Sequence, residues 1–196
     1  TCALPISAPV RHRHPSFLTY QFMQTPLNAD DISQAIQSLA QQIRARHGNN
    51  PIALIGIRSR GDEVAERLCN ILSEEDRELS FGTLDISLYR DDFEHLRENP
   101  KLQGSDIDFP IDEAVVILVD DVLFTGRTIR SALDALSDYG RPGKVELAVL
   151  IDRGHREMPV QADFVGISLA TERLDHVLVS LEGTDGVDKV EIIPRA

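Results

Sequence analysis

The stretch from Val115 to Ile129, VVILVDDVLFTGRTI, constrains the fold of this 196-residue chain more than any other segment. Its apolar run from Ala114 to Val119 is typical of a β-strand that is buried on both faces, and therefore of a parallel sheet. Two adjacent carboxylates, Asp120 and Asp121, follow where we expect this strand to end. After a short loop, the spacing of apolar residues predicts a helix.

The loop before that helix is predicted to bind a phosphate group. It consists of Thr125, Gly126, Arg127 and Thr128, which offer hydroxyls, backbone N–H groups, a guanidinium and close approach at a helix N-terminus. Ligands of open α/β sheets bind beyond the carboxyl ends of the strands, where the ionised aspartates would accept hydrogen bonds from sugar hydroxyls. The whole stretch would therefore hold a ribose 5-phosphate. For the two aspartates alone, a solvated strand end before a Thr-capped helix is the alternative.

A second unit of strand, polar turn and helix precedes the central one. The apolar residues 51–57 predict the strand, and the spacing from Val64 to Leu72 predicts the helix. The turn between them consists of Arg58, Ser59, Arg60 and Gly61. Two arginines and a hydroxyl suit an anion, although a surface turn whose arginines pair with Asp62 and Glu63 is the alternative.

The remaining elements are predicted from periodicity and breakers. A first helix begins after Asn28 or Asp30 and ends near Gly48. Strands are predicted over residues 81–88, 145–151, 176–181 and 187–193, the last two joined by a Gly-Thr-Asp-Gly turn. The polar stretch from Tyr89 to Pro110 is predicted to be a lid that excludes water from a reactive centre, or else a solvated insertion.

The central stretch also resembles the phosphoribosyl-pyrophosphate (PRPP) motif of type I phosphoribosyltransferases. Two further segments, RPGKVELAVLIDRGHREMPVQADFVG (141–166) and DISLYRDD (85–92), are similar to the PyrR family of pyrimidine-operon regulators, which are also uracil phosphoribosyltransferases. The resemblance extends from about residue 28 to residue 194. It implies the type I phosphoribosyltransferase fold, a doubly wound and mostly parallel sheet flanked by helices, with a small hood.

This resemblance implies a role for each loop. Thr125 to Thr128 would hold the 5-phosphate of PRPP, and Arg58 to Gly61 its pyrophosphate. Asp120 and Asp121 would fix the ribose hydroxyls, directly or through Mg²⁺ that also binds PRPP oxygens, and Arg90 of the lid would act with them in catalysis. The uracil would lie against a set of four residues: Asp152, Arg153, Phe164 and Val165.

The resemblance further implies that the UMP-loaded protein binds a hairpin in pyrimidine-operon mRNA and controls transcription by attenuation. Arg46, His155 and Arg156 would contact this RNA. Gln37, Gln41 and Gln161, however, stand where other members of the family tend to carry other, often basic, groups, and the net charge is −12. Two alternatives stay open: a phosphoribosyltransferase for another base without RNA binding, and a catalytically weak regulator that senses UMP or PRPP.

Length and composition predict one domain over residues 28–196, preceded by an irregular segment over residues 1–27. Residues 1–6, TCALPI, also correspond to the translation of a common sequencing adapter, and we expect them to be artefactual. Two cysteines without a C-x-x-C pair favour a reducing, cytoplasmic location, and no apolar run suggests a membrane span. The family implies a homo-oligomer, a dimer or larger.

Overall fold

The computed structural model describes residues 19–20, 26–73, 78–89 and 104–195. The elements follow the chain as β1 (Thr19–Tyr20), α1 (Ala29–His47), β2 (Ile52–Ile57), α2 (Gly61–Leu72), β3 (Leu79–Leu84), β4 (Val115–Leu123), α3 (Arg127–Leu136), β5 (Lys144–Asp152), β6 (Phe164–Leu169), β7 (His176–Ser180), α4 (Glu182–Asp185) and β8 (Lys189–Ile193). Within these ranges, no helix has both the length and the hydropathy that a membrane span needs.

Six strands form one parallel sheet in the order β1-β6-β5-β4-β2-β3. After β2 the chain adds β3 on one side and then returns to place β4 on the other side of β2. The order therefore reverses between β2 and β4. In open α/β sheets, this reversal opens a crevice at the carboxyl ends of the two strands, where ligands bind.

Both faces of the sheet are buried. On β4, Ile117 and Val119 pack on the side that holds α1 and α2, whereas Val116 and Leu118 pack on the side that holds α3. Successive strand residues point to opposite faces, so a strand covered on both sides needs a continuous apolar run. The predicted doubly wound sheet is therefore confirmed.

A small hood, which we define as residues 176–193, lies against α2 and against the segment that precedes α1. Its strands β7 and β8 pair antiparallel and are joined by the single-turn helix α4. Leu27 forms an antiparallel bridge with Val190, with N–H to carbonyl distances of 2.9 and 3.0 Å. The two predicted final strands are confirmed, and the turn between them contains a short helix.

Local side-chain contacts explain where α1 begins. The Asn28 side chain accepts from the backbone N–H groups of Asp30 and Asp31 at 2.8 and 3.1 Å, and the Asp31 carboxylate accepts from the Asn28 N–H at 2.9 Å. These reciprocal bonds satisfy donors that a helix N-terminus leaves free. Of the two predicted caps, Asn28 is the one that the structure uses.

Several predicted boundaries are wrong. β3 spans residues 79–84 instead of 81–88, because the Asp85 carboxylate accepts from the Ser87 N–H at 2.8 Å and turns the chain. The edge strand β1 falls in a segment that was predicted to be irregular. Residues 90–103 of the predicted lid, Arg90 among them, lie outside the described residues, whereas Asp106 forms a bridge with Thr83 of β3.

Candidate functional site

The structure brings the two predicted anion loops to the carboxyl ends of adjacent strands. One loop follows β2 and the other follows β4, on either side of the point where strand order reverses. The start of α2 lies directly on β4. A Cβ added at Gly61 would be 2.5 Å from the carbonyl oxygen of Val119 and 3.0 Å from Cα of Asp120. Only glycine permits this approach, which brings the first loop beside the aspartates.

Asp120 and Asp121 lie within β4, not beyond its end, which corrects the expected boundary. The pairing of β4 with β2 stops at Val119, whereas its pairing with β5 continues to Leu123. The aspartates are therefore paired on one side and open towards β2 on the other. This is the side on which the crevice forms.

The two carboxylates differ in their surroundings. Asp120 is only 5% exposed, and its Oδ1 accepts from the Asp121 N–H at 3.0 Å. Oδ1 of Asp121 accepts from the Val122 N–H at 2.8 Å. Burial raises the pKa of Asp121, while the Val122 hydrogen bond and the charge of Arg60 oppose that shift. The site thus holds two carboxylates at adjacent positions, with a guanidinium nearby.

The loop after β4 is held by the segment that follows β5. The Thr125 carbonyl accepts from the N–H groups of Glu157 and Met158, both at 2.9 Å. Gly126 has a φ of +91° and precedes the first residue of α3. The Arg127 guanidinium donates from Nε and Nη2 to Oε2 of Glu157 at 3.0 and 2.9 Å. Glu157 was not predicted as a site residue, since it lies 30 residues further along the chain.

The loop after β2 is attached to neighbours that are distant in sequence. The Arg58 N–H donates to the Leu84 carbonyl at 3.0 Å, and its Nη2 donates to Oγ1 of Thr83 at 2.8 Å. Arg60 forms a two-point pair with Asp185 of the hood, with Nε to Oδ2 at 2.9 Å and Nη2 to Oδ1 at 2.8 Å. The alternative in which Arg60 pairs with Asp62 or Glu63 is therefore wrong for its guanidinium. The Ser59 side chain is exposed.

At the carboxyl end of β5, Arg153 lies against an aromatic ring. Its guanidinium carbon is 4.2 Å from the centre of the Phe124 ring, a cation–π distance. Nη1 and Nη2 donate to the carbonyls of Asp175 and Glu172 at 2.8 and 2.9 Å. Burial lowers the pKa of Arg153. Phe124 was not among the predicted site residues, although a single aromatic residue within the polar loop is a visible signal.

Phe164 and Val165 do not lie at this edge, which corrects their prediction as base-binding residues. Phe164 pairs with Ala148, four residues before Asp152 on the neighbouring strand, and so lies about 13 Å from the carboxyl edge. Its ring is 1% exposed and belongs to the core. The Val165 carbonyl accepts from the Gln42 side chain of α1 at 2.9 Å. Asp152 and Arg153 are the members of the predicted set that the structure places at the site.

The structure does not bring the three predicted RNA-binding residues together. Arg46 pairs with Glu146 and Asp163 at 3.1 and 2.8 Å, towards the amino ends of β5 and β6. His155 and Arg156 follow the carboxyl end of β5 instead. Nε2 of His155 is 2.7 Å from the Thr171 carbonyl.

Arg156 joins the two loops that follow β4 and β5. Its Nη1 donates to the carbonyls of Leu123, Phe124 and Gly154 at 3.3, 3.0 and 2.9 Å. Its Nη2 donates to Oδ2 of Asp152 at 2.5 Å. The side chain therefore fixes the phosphate loop relative to the end of β5.

The part of the chain that the structure describes contains no group of three or more His, Cys, Asp and Glu side chains that could hold a metal ion. The adjacent carboxylates of Asp120 and Asp121 nevertheless fit Mg²⁺. This ion is usually held by one or two carboxylates together with substrate phosphate oxygens and water, not by a cage made of protein alone. The pair can thus supply the protein's share of such a site.

A model of the phosphoribosyl transferase domain family matches residues 27–181. The bifunctional protein PyrR of Chloroflexus aurantiacus is 48% identical over 169 residues, which cover 85% of this chain and 93% of the relative. The bifunctional protein PyrR of Thermus thermophilus is 44% identical over 177 residues, which cover 89% and 98%.

Solved structures of phosphoribosyltransferases share the fold. A hypoxanthine phosphoribosyltransferase from Trypanosoma cruzi, in complex with the product IMP, superposes with a TM-score of 0.66 at 19% identity and covers 89% of this chain and 96% of its own. A hypoxanthine phosphoribosyltransferase from Staphylococcus aureus superposes with a TM-score of 0.62 at 19% identity and covers 84% and 89%. These likenesses confirm the predicted fold class.

Proposed function

The chain belongs to the phosphoribosyl transferase domain family and, within it, to the PyrR proteins, and from this premise we propose that it transfers the ribose 5-phosphate of PRPP to uracil, which yields UMP and pyrophosphate. The observation that carries the proposal is the position of Asp120 and Asp121 between two anion loops on adjacent strands. PRPP is a ribose that carries a phosphate at C5 and a pyrophosphate at C1. The order of loop, aspartates and loop in the site therefore matches the order of phosphate, ribose and pyrophosphate in the substrate.

Each part of the crevice then has one task. Residues 125–128 bind the 5-phosphate at the start of α3, and residues 58–61 bind the pyrophosphate. Asp120 and Asp121 accept hydrogen bonds from the ribose hydroxyls and favour positive charge at the anomeric carbon. As the bond to pyrophosphate breaks, that carbon gains positive charge and the leaving group gains negative charge. Catalysis by this chain therefore rests on positioning and on prearranged charges.

Mg²⁺ is the cofactor in this proposal, and it would be bound through Asp120 or Asp121 together with PRPP oxygens. When bound, it stabilises the negative charge on the leaving pyrophosphate. Arg90, which lies outside the described residues, would neutralise the same charge when the lid closes. The lid would also keep water from the reactive anomeric carbon.

We place uracil at the carboxyl end of β5, beside Arg153 and Phe124. This part of the crevice adjoins β4, so a base here would face the anomeric carbon of a ribose that is held by the aspartates. Asp152 belongs to the same edge, and its carboxylate already accepts from Arg156 and from the Gly154 N–H. His155 and Asp152 lie at this edge, but Nε2 of His155 is 2.7 Å from the Thr171 carbonyl and the Asp152 carboxylate is already hydrogen-bonded, so neither has an obvious role as base. The proton that the uracil nitrogen loses would pass to water or to the departing pyrophosphate, and the cationic centre makes a strong base unnecessary.

The proposal is tested by Mg²⁺-dependent release of pyrophosphate from PRPP, with uracil, hypoxanthine, adenine and orotate assayed in parallel. Activity with uracil alone is expected. Activity with another base instead of uracil would establish a phosphoribosyltransferase of different specificity. PRPP binding without turnover of any base would leave a nucleotide sensor and contradict the proposed catalysis.

Relatives that are 44–50% identical to this chain are named bifunctional proteins, and this favours a second function. We propose that the UMP-bound form recognises an RNA hairpin of the pyrimidine operon and thereby controls transcription by attenuation. Arg46, His155 and Arg156 are the predicted contacts. Arg46 is separated from the other two within one protomer, so a homo-oligomer, a dimer or larger, would be needed to bring these positions to one surface. Light scattering of the purified chain would test the oligomer, and a monomeric mass would contradict it.

A further inference from the structure

The hood is attached to α2 and to the loop before it by two arginine–carboxylate pairs of similar geometry. Arg67 of α2 donates to both oxygens of Asp188, at 2.6 and 2.7 Å. Arg60 donates to both oxygens of Asp185, at 2.9 and 2.8 Å. Glu63 adds to the attachment by accepting from the N–H groups of Gly183 and Thr184, at 2.9 and 3.0 Å. The two pairs differ in where their arginines lie relative to the proposed pyrophosphate site.

Arg67 lies two turns inside α2, and it also pairs with Glu63 at 2.6 Å. Arg67 therefore stabilises the contact between α2 and the hood, and it does not belong to the loop before α2. Arg60 instead belongs to the loop that precedes α2, the loop in which we place the pyrophosphate. The Arg60–Asp185 pair joins residues that are 125 positions apart in the sequence, and it connects the hood to that loop directly.

The Arg60 guanidinium keeps one side available. Nε and Nη2 face Asp185, whereas Nη1 donates to none of the residues that the structure describes. The side chain is 30% exposed. Arg60 directly precedes Gly61, where an added Cβ would be 3.0 Å from Cα of Asp120, so Arg60 belongs to a loop that lies beside the two aspartates. Nη1 is thus a charged donor at the pyrophosphate end of the crevice.

An unrestrained arginine must lose rotamer entropy to hold a ligand in one geometry. The two-point pair with Asp185 removes most of that freedom before any ligand binds, because it fixes both the plane and the direction of the guanidinium. Asp185 is itself anchored, since its Oδ2 accepts from the Leu181 N–H at 3.0 Å. The hood therefore holds the Nε and Nη2 side of the guanidinium and leaves Nη1 to donate to a ligand.

We propose that Asp185 of the hood is a positioning residue for pyrophosphate, which acts by orienting Arg60 so that Nη1 points at the leaving group of PRPP. This rests on the proposed function, because it takes residues 58–61 as the pyrophosphate site. Asp185 does not touch the substrate. It affects the binding of PRPP and of pyrophosphate only through Arg60. It does not affect the binding of UMP, which has no pyrophosphate.

The test is calorimetric titration of the full-length chain with PRPP, pyrophosphate and UMP in the presence of Mg²⁺. Asp185→Asn is expected to weaken PRPP and pyrophosphate binding by about tenfold, the value of one charge-assisted hydrogen bond, and to leave UMP binding unchanged. Asp185→Glu, which keeps the carboxylate, should recover part of the loss. In an Arg60→Gln background, Asp185→Asn should have no further effect, because the side chain that it orients is gone.

Asp188→Asn is the matched control. It removes the same kind of pair from the same hood, but its partner Arg67 does not belong to the loop, so pyrophosphate affinity should be unchanged even if the hood is less stably attached. Equal losses in Asp185→Asn and Asp188→Asn would overturn the inference, as would wild-type or tighter PRPP binding by Asp185→Asn. A wild-type chain that binds no PRPP would instead overturn the proposed function, and with it this inference.

Discussion

At the scale of single residues, Asp121 combines partial burial with a position beside two anion loops. Its charged form is disfavoured by burial, which raises its pKa. We predict that Asp121→Asn lowers kcat by about 100-fold, because the charge that favours the cationic centre is lost, and changes the free energy of unfolding by less than about 1 kcal/mol. Steady-state kinetics and urea unfolding measure the two effects. Unchanged kinetics would refute the assigned role.

Arg156 gives a second prediction at this scale, because its guanidinium makes several hydrogen bonds that lysine cannot reproduce. Arg156→Lys should destabilise the chain by about 2 kcal/mol and weaken binding of the 5-phosphate, since the loop after β4 loses its attachment to β5. Arg173→Lys, at a side chain that is 59% exposed, is the control and should be close to neutral. If Arg156 served RNA alone, stability would not change.

Site residues that adjoin a strand end could be predicted from the sequence, but the residues that contact them could not. Asp120 and Asp121 follow the apolar run of β4, and the two anion loops follow β2 and β4, so their position at the ligand edge follows from chain order. Asp185 and Glu157 meet these loops only through the tertiary fold. Phe164 was assigned to the base by resemblance, but the register of β6 with β5 puts it in the core.

At the scale of elements, the hood is attached through ion pairs and not through a large apolar contact alone. Pairing with Arg67 lowers the pKa of Asp188, and pairing with Arg60 lowers that of Asp185. A carboxylate with a lowered pKa stabilises the fold above its ordinary value, and this contribution is lost as the pH falls through the lowered value. The ordinary pKa is 3.8 for both groups, so the loss should begin below about pH 5.

We therefore predict that Asp188→Asn reduces the free energy of unfolding at pH 7 by about 1–2 kcal/mol, the range for a hydrogen-bonded and largely buried carboxylate. The difference from wild type should shrink as the pH falls from 5 to the lowered pKa, because wild type then loses the same charge. Urea unfolding across this range measures it. A difference that is independent of pH would show that the ion pair does not contribute.

Elements were predictable where periodicity was strong and local contacts agreed with it. α1 has both an apolar face and an Asn28 cap, and its predicted bounds are close to the observed ones. β6 was missed because a six-residue strand with Gly166 at its third position resembles a loop. Its strand conformation depends on its pairing with β5 and on the Gln42 side chain of α1, contacts that the sequence alone does not reveal.

At the scale of the whole molecule, charge limits how the chain can bind RNA. Its net charge is −12, from 32 acidic and 20 basic residues. Arg46 and Arg156, two of the three predicted RNA contacts, already pair with carboxylates. Binding to RNA must therefore depend on a few well-placed contacts and on recognition of hairpin shape, and not on general attraction to phosphate.

We predict that UMP-loaded protein binds the operon hairpin with a shallow salt dependence, a slope of log K against log salt of about −2 to −3, which corresponds to about two or three phosphate contacts. Arg46→Gln should reduce that slope by about one unit if its guanidinium meets a phosphate. Filter binding across a salt series, with a shuffled hairpin and with UMP omitted as controls, measures these effects. A slope that is the same for the shuffled hairpin would indicate non-specific attraction. Absence of binding at low salt with UMP present would leave phosphoribosyl transfer as the only proposed function of this fold.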